Sequence, residues 1–188
     1  MAVQAPAEHA PAHHNPLVLN RIGLWLFFFS ESVIFGLLLS SRFFLDGIHQ
    51  AHVDQQLGLV ITIVLLLSSV TAFTAETAME KGNSRLCHQM LLLTIVLGTL
   101  FAGGVAYEWA TAHFSREEAF GTVFFTMTGI HAAHVVSGIG FLALAWNLAR
   151  KGRFDSKNHW GISGTVMYWH FVDVVWVFFY PALYLVGS

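Results

Sequence analysis

Met167-Tyr168-Trp169-His170-Phe171-Val172-Asp173-Val174-Val175-Trp176 places two ionisable side chains in an otherwise apolar, aromatic run. Three positions apart on a helix is one face, so His170 and Asp173 project the same way. A histidine beside a carboxylate is the pairing used for a metal ligand and its orienting partner, or for proton transfer. Two further groups have the same character. Phe28-Phe29-Ser30-Glu31-Ser32 buries a carboxylate among aromatic residues, and Gly129-Ile130-His131-Ala132-Ala133-His134 repeats histidine at the same three-residue spacing. Haem b in a membrane bundle takes one axial histidine from each of two facing helices. His131 or His134 with His170 is the set that could supply them.

The elements that carry these groups follow from composition. The chain has 188 residues, 55% of them hydrophobic and only 11% charged. Water-soluble domains are about a quarter charged, so the composition reads as an integral membrane protein. A formal net charge of −2 offers no basic footprint for nucleic acid. A single cysteine, Cys87, excludes an intrachain disulfide and reads as a small apolar filler. Five apolar segments, at about 22–44, 57–79, 86–107, 119–149 and 165–187, each reach the ~20 residues that a helix needs to cross hydrocarbon. None alternates with the period of two of a barrel strand, so the fold class expected is all-α, a bundle of five transmembrane helices.

Between them stand turn and cap signals. Asp46-Gly47 follows the first span, Lys81-Gly82-Asn83-Ser84 is a tight turn, and Ser115-Arg116-Glu117-Glu118 reads as a capping box. A loop from Lys151 to Gly164 precedes the last span. Residues 1–20, with three of the four prolines, lack the features of a signal peptide and read as a disordered cytoplasmic tail. Its His9, His13 and His14 have no fixed geometry for a metal. Residues 21–188 then form the membrane domain.

Lysine and arginine placement sets the orientation. Arg21, Lys81, Arg85, Arg150, Lys151, Arg153 and Lys157 fall on one side, and only Arg42 and Arg116 on the other. The N-terminus is expected in the cytoplasm and the C-terminus outside. At ~1.5 Å per residue, Glu31, His131, His134, His170 and Asp173 then lie within about a helical turn of one depth, as a single polar cluster or layer. A carboxylate at that depth costs about 2.5–3.5 kcal/mol to insert. Glu31 is either a proton-handling group or a polar staple between helices. The histidine pair is either a ligand set or a hydrogen-bonded contact beside small residues. Glu76 and Glu108 lie near span ends and are expected at the interfaces, with Trp109, Trp160, Tyr168 and Trp169 as an aromatic belt. No nucleophile elbow, phosphate loop or HExxH motif is present.

The run Tyr168 to Trp176 resembles the hallmark of subunit III of the haem–copper terminal oxidases. Thr128-Gly129, His131, His134-Val135 and Gly138 are similar to that family's histidine-pair helix. Leu26-Phe27, Ser30-Glu31 and Phe35 are similar to its buried-glutamate helix, and Leu65 to Ser69 to the helix that follows. The motifs occur in order from about residue 22 onward. The resemblance implies a V-shaped two-bundle arrangement and a lipid-holding cleft. It also implies no catalytic, cofactor or metal residue in this chain, since haems and copper reside in partner subunits I and II. Direct contact with subunit I is implied, with subunit II and possibly subunit IV in the same complex. Glu31 matches the family's buried glutamate, and Arg150 a basic position meeting a phospholipid phosphate. Departures from the pattern are Glu76-Thr77, where the family often has a histidine pair, and Val105, where it often has an acid.

The function implied is that of an accessory subunit in the bacterial inner membrane, supporting oxygen reduction coupled to proton translocation. A subunit III-like protein of a nitric oxide reductase is the alternative within the family. A small cytochrome b using His131 or His134 with His170 is the alternative from another class.

Overall fold

The computed structural model describes residues 16–45 and 53–186. Five α-helices account for nearly all of them: α1 Pro16–Leu45, α2 Gln55–Glu80, α3 Ser84–Thr111, α4 Ala119–Arg150 and α5 Trp160–Tyr180. Each is long and apolar enough to cross a membrane. The chain is an all-helical membrane protein, and no strand occurs among the described residues. Helix α1 starts at Pro16, inside the stretch expected to be a tail. Proline suits that first position, because its missing N–H is one the helix would leave unpaired anyway. Residues 1–15 with His9, His13 and His14, and the Asp46-Gly47 turn, lie outside the described residues.

The turn signals form as local chemistry requires. Gly82 adopts φ +75°, which a side chain would strain, and Asn83 caps α3 through the Leu86 N–H at 3.1 Å. Half of the Ser115–Glu118 capping box forms: Ser115 N–H donates to Glu118 Oε1 at 3.2 Å, while Ser115 Oγ accepts from the Glu117 N–H instead of that of Glu118. It closes a turn ahead of α4 instead of opening the helix, which begins at Ala119. The last helix differs most from expectation. It starts at Trp160, five residues early, and after Pro181 continues as a π-turn over Pro181–Leu185. Proline removes one backbone donor there. Gln55 Nε2 caps the Tyr184 carbonyl in that turn at 3.0 Å.

In the loop before α5, the N–H groups of Asn158 and Lys157 both donate to Asp155 Oδ1 at 2.7 Å. They hold its carboxyl below the usual carboxylate range, helped by the charges of Lys157 and His159. A lowered folded-state value means that the stabilisation is complete above the ordinary range and is lost as pH falls through the lowered one. The protection factors of the Lys157 and Asn158 amides, taken against the intrinsic exchange rate at each pH, are therefore expected to fall on acidification, and to be low at every pH in Asp155→Ala.

Helices α2, α3, α4 and α5 pack in a ring, α2 on α3, α3 on α4, α4 on α5 and α5 back on α2, while α1 lies against α4 and α5. These contacts establish the bundle; the two-armed V expected from the resemblance does not emerge from them. Helix α5 is the most enclosed and α1 the least. Between α2 and α3 the contact is made close by Ala72, Ala75 and Ala78, all buried, as small residues allow in membranes. The Thr71 and Thr94 hydroxyls hydrogen-bond across it at 2.8 Å.

The centre of the ring is filled from α5. Trp169 is fully buried, and its indole lies against Gly98 of α3 and Gly138 of α4. A Cβ at Gly98 would stand 2.5 Å from Trp169 Cη2, and one at Gly138 would stand 2.9 Å from Cε3. Its Nε1–H donates to Ser68 Oγ of α2 at 2.9 Å. One side chain thus ties four helices together. Trp176, two turns further along the same face, donates to Thr62 Oγ1 of α2 at 2.9 Å. Tyr168, also buried, meets Ser137 Oγ at 2.7 Å and donates to the His134 carbonyl at 3.2 Å. Tyr168 and Trp169 are therefore core residues, contrary to the interfacial belt expected of them. The early start of α5 carries both deeper into the bundle.

Candidate functional site

The five ionisable residues at mid-depth are dealt to three different surroundings. Glu31 of α1 and His134 of α4 face each other, with Oε2 3.3 Å from Nε2, and both side chains are largely covered. The other ring nitrogen of His134 lies 2.9 Å from the Ile130 carbonyl, one turn back. That carbonyl accepts only, which places the proton on Nδ1 in the neutral ring and leaves Nε2 to face the carboxyl group. The pair can share a proton or form an ion pair. It is also a polar tie that attaches the least enclosed helix to the bundle.

His131 is fully buried and sits in an aromatic cage. Its ring stacks on Trp176 at 5.0 Å between centroids and meets Phe101 edge-on at 5.9 Å. Phe35 and Phe179 complete the cage. Neither ring nitrogen has a hydrogen-bond partner among the described residues. The i, i+3 pair of histidines is therefore split: one ring enters the aromatic core and the other reaches α1.

His170 and Asp173 turn toward α2. Ser69 Oγ lies 2.6 Å from His170 Nδ1. Asp173 is 3% exposed, and neither carboxyl oxygen has a hydrogen-bond partner among the described residues. The Ser69 hydroxyl is also placed to hydrogen-bond the Asp173 carboxyl group. The hydroxyl geometry, however, favours His170, and that hydrogen bond is the one the distances support. The expected single cluster thus resolves into a Glu31–His134 pair, a caged His131, and a His170–Ser69–Asp173 group at the α2–α5 contact. No group of three or more His, Cys, Asp or Glu side chains among the described residues is arranged to hold a metal. Arg150 is exposed at the cytoplasmic-facing end proposed for α4, its guanidinium 4.6 Å from the centroid of the Trp146 ring.

Glu108, expected at an interface, and Arg42, which entered only the count of basic residues that sets orientation, are both buried. Glu108 is 4% exposed, and its Oε2 accepts the Tyr184 hydroxyl at 2.5 Å. Its other oxygen has no hydrogen-bond partner among the described residues. Arg42 is fully buried with its guanidinium over Phe120, 5.2 Å from the ring centroid. The signal available was that Glu108 and Tyr184 belong to the same end of the bundle; a separation of 76 positions concealed the pairing. Tyr184→Phe strips the described donor from a buried carboxyl, and a loss of about 1–3 kcal/mol is expected. A thermal unfolding series should show that loss abolished when Glu108→Leu is added.

Comparison with known proteins places these residues in context. A sequence profile described as cytochrome c oxidase subunit III matches residues 7–188. The chain is 32% identical to cytochrome c oxidase subunit 3 of Thermostichus vulcanus, over 95% of this chain and 91% of that one. It is 34% identical to a probable cytochrome c oxidase subunit 3 of Rickettsia conorii, over 89% of this chain and 68% of the relative. Subunit 3 of Dugong dugon is 35% identical, over 94% and 74% respectively.

Proposed function

We propose, from the premise that the chain belongs to the cytochrome c oxidase subunit III family, that it is an accessory subunit of a haem–copper oxidase with no redox centre of its own. It packs on the catalytic subunit I and supports oxygen reduction coupled to proton translocation in the bacterial inner membrane, with its N-terminus in the cytoplasm. Haems and copper belong to subunits I and II, and structural phospholipid binds along the bundle, with Arg150 offered to a phosphate. The observation that carries the reading is the state of the histidines. His134 is engaged by Glu31 and Ile130, His170 by Ser69, and His131 by an aromatic cage. Each ring is oriented by a packing or hydrogen-bond partner that differs from the others, and axial haem ligands would have to converge instead. The same assignments argue against the small-cytochrome alternative.

Glu31 is the residue most suited to a part in proton supply, because its carboxyl group faces a histidine nitrogen, Nε2 of His134, at 3.3 Å. The experiment is purification of the assembled complex through a tag on this chain. Haem, copper and oxygen-consuming activity are expected to co-purify in fixed proportion. Recovery of the chain in a complex that reduces nitric oxide but not oxygen, or in one without haem, would overturn the reading.

A further inference from the structure

Arg116 stands in the loop between α3 and α4, at the end of the bundle that carries few basic residues. Its side chain is exposed, yet the guanidinium folds back along α4. It lies 5.0 Å from the centroid of the Phe125 ring, beyond the first turn of that helix. Ion pairs among the described residues join Glu31 to His134 and Glu80 to His159, so neither of them holds Arg116. Glu118 takes the Ser115 N–H instead. An arginine at a span end ordinarily reaches outward to water. Turning inward places this one at the depth of interfacial aromatic residues.

The guanidinium borders a cavity of about 250 Å³ lined by Trp109, Arg116, Thr122, Phe125 and Thr126. Trp109 and Phe125 meet edge-on at 5.7 Å between centroids. The indole is fixed by its Nε1–H, which donates to Thr128 Oγ1 at 3.1 Å. Both threonine hydroxyl protons are already committed. Thr122 donates to the Arg116 carbonyl and Thr126 to the Thr122 carbonyl, each at 2.7 Å. Their oxygens keep lone pairs and can only accept. The cavity thus offers guanidinium donors to an anion, acceptors to an N–H group, and an aromatic wall between. Trp109 in the last turn of α3 and Thr122 in the first turn of α4 set it at the level of lipid headgroups.

We infer that this cavity binds the headgroup of a phospholipid bearing a primary ammonium, with its phosphate on Arg116 and its ammonium on the Thr122 and Thr126 oxygens. A guanidinium–phosphate contact is charge-assisted and can be bidentate. Free phosphate would leave the threonines unused, and a choline headgroup has no N–H to give them. A headgroup without an amine would leave net negative charge beside Glu117 and Glu118. The inference rests on the orientation proposed above only for the leaflet, which is the outer one. It adds to the lipid offered to Arg150 a second site, at the opposite end of α4 and with a different headgroup preference.

The test is photolabelling of the purified complex in nanodiscs, with phosphatidylethanolamine carrying a diazirine near the glycerol end of one acyl chain. Phosphatidylcholine and phosphatidylglycerol with the same group serve as controls. In the unaltered complex, the ethanolamine probe is expected to label residues 105–126 at least fivefold more than either control. Equal labelling by the three lipids, or stronger labelling by phosphatidylglycerol, would overturn the inference. Arg116→Gln should lower the ethanolamine label there at least fivefold, and Arg116→Lys should lower it less. Label at the Arg150 end of α4 in the same sample shows that the variant is folded. An unchanged label in Arg116→Gln would remove the phosphate contact. Thr122→Val with Thr126→Val should abolish the preference over phosphatidylcholine, and a preference that survives would remove the ammonium contact. Excess inorganic phosphate should leave the label in place; its displacement would reveal a site for free anion and overturn the lipid assignment. The same labelling in a haem-free complex would remove the oxidase reading and leave the lipid site standing.

Discussion

Trp169→Ala is expected to cost about 3–5 kcal/mol of stability, the range for deleting a fully buried aromatic side chain. The full range applies here because the surroundings cannot close the gap. The indole is held against Gly98 and Gly138, where the backbones of α3 and α4 have no side chain to move inward. Burial from water contributes little between helices in a bilayer, so the loss is of close packing, together with the bond to Ser68. Trp169→Phe keeps much of the ring and loses that bond, for an added cost of about 0.6–1.7 kcal/mol. Gly138→Val, which drives a side chain into the space of the indole, should resemble Trp169→Ala. Thermal unfolding of the detergent-solubilised chain, followed by near-ultraviolet circular dichroism, checks the order. Equal midpoints for the Ala and Phe variants would show that Trp169 does not organise the ring.

Glu31→Gln and Glu31→Leu are expected to separate two duties of one side chain. Glutamine can still hydrogen-bond His134 Nε2 across the 3.3 Å contact, so α1 should stay docked, but it cannot accept a proton. Turnover by the complex, or its survival through repeated turnovers, should then fall several-fold with the chain still present. Leucine removes the tie, and the loss of about 0.6–1.7 kcal/mol falls on α1 alone. That is enough to matter for the helix with the least enclosed surface. Protease access to the α1–α2 connection should rise in Glu31→Leu and remain unchanged in Glu31→Gln. If glutamine lowers the amount of chain in the complex as much as leucine does, Glu31 is a structural tie only.

These residues also show what the sequence could reveal. Five spans were legible because each is a long apolar run bounded by charged or turn-forming residues, and the Lys81–Ser84 turn was readable from Gly82 and Asn83. The start of α5 was not, because Gly161 and Gly164 lower local helix propensity and tertiary packing overrides it. That error of five residues made Tyr168 and Trp169 look interfacial, when they fill the core. Periodicity correctly put His131 and His134 on neighbouring positions of one helix. It could not show that a small rotation sends one ring into the Phe101–Trp176 cage and the other to Glu31. The Glu108–Tyr184 bond joins α3 to the π-turn after Pro181, and nothing in local spacing announces it.

The hallmark stretch emerges as the packing centre of the subunit. Trp169, Trp176 and Tyr168 reach α2 and α4 with named partners, while His170 and Asp173 turn to the α2 side. Glu31, His134 and His170 tie helices together, which suits the accessory role proposed.

The central claim is that the chain accompanies redox centres without binding them, and selective removal of this subunit tests it most directly. The intact complex is stripped of this polypeptide with mild detergent, and optical spectra and metal content are taken of both fractions. Haem and copper are expected to remain in full with the residual complex, with oxygen reduction retained at first and lost faster during turnover. A Soret band travelling with the released chain would contradict the account.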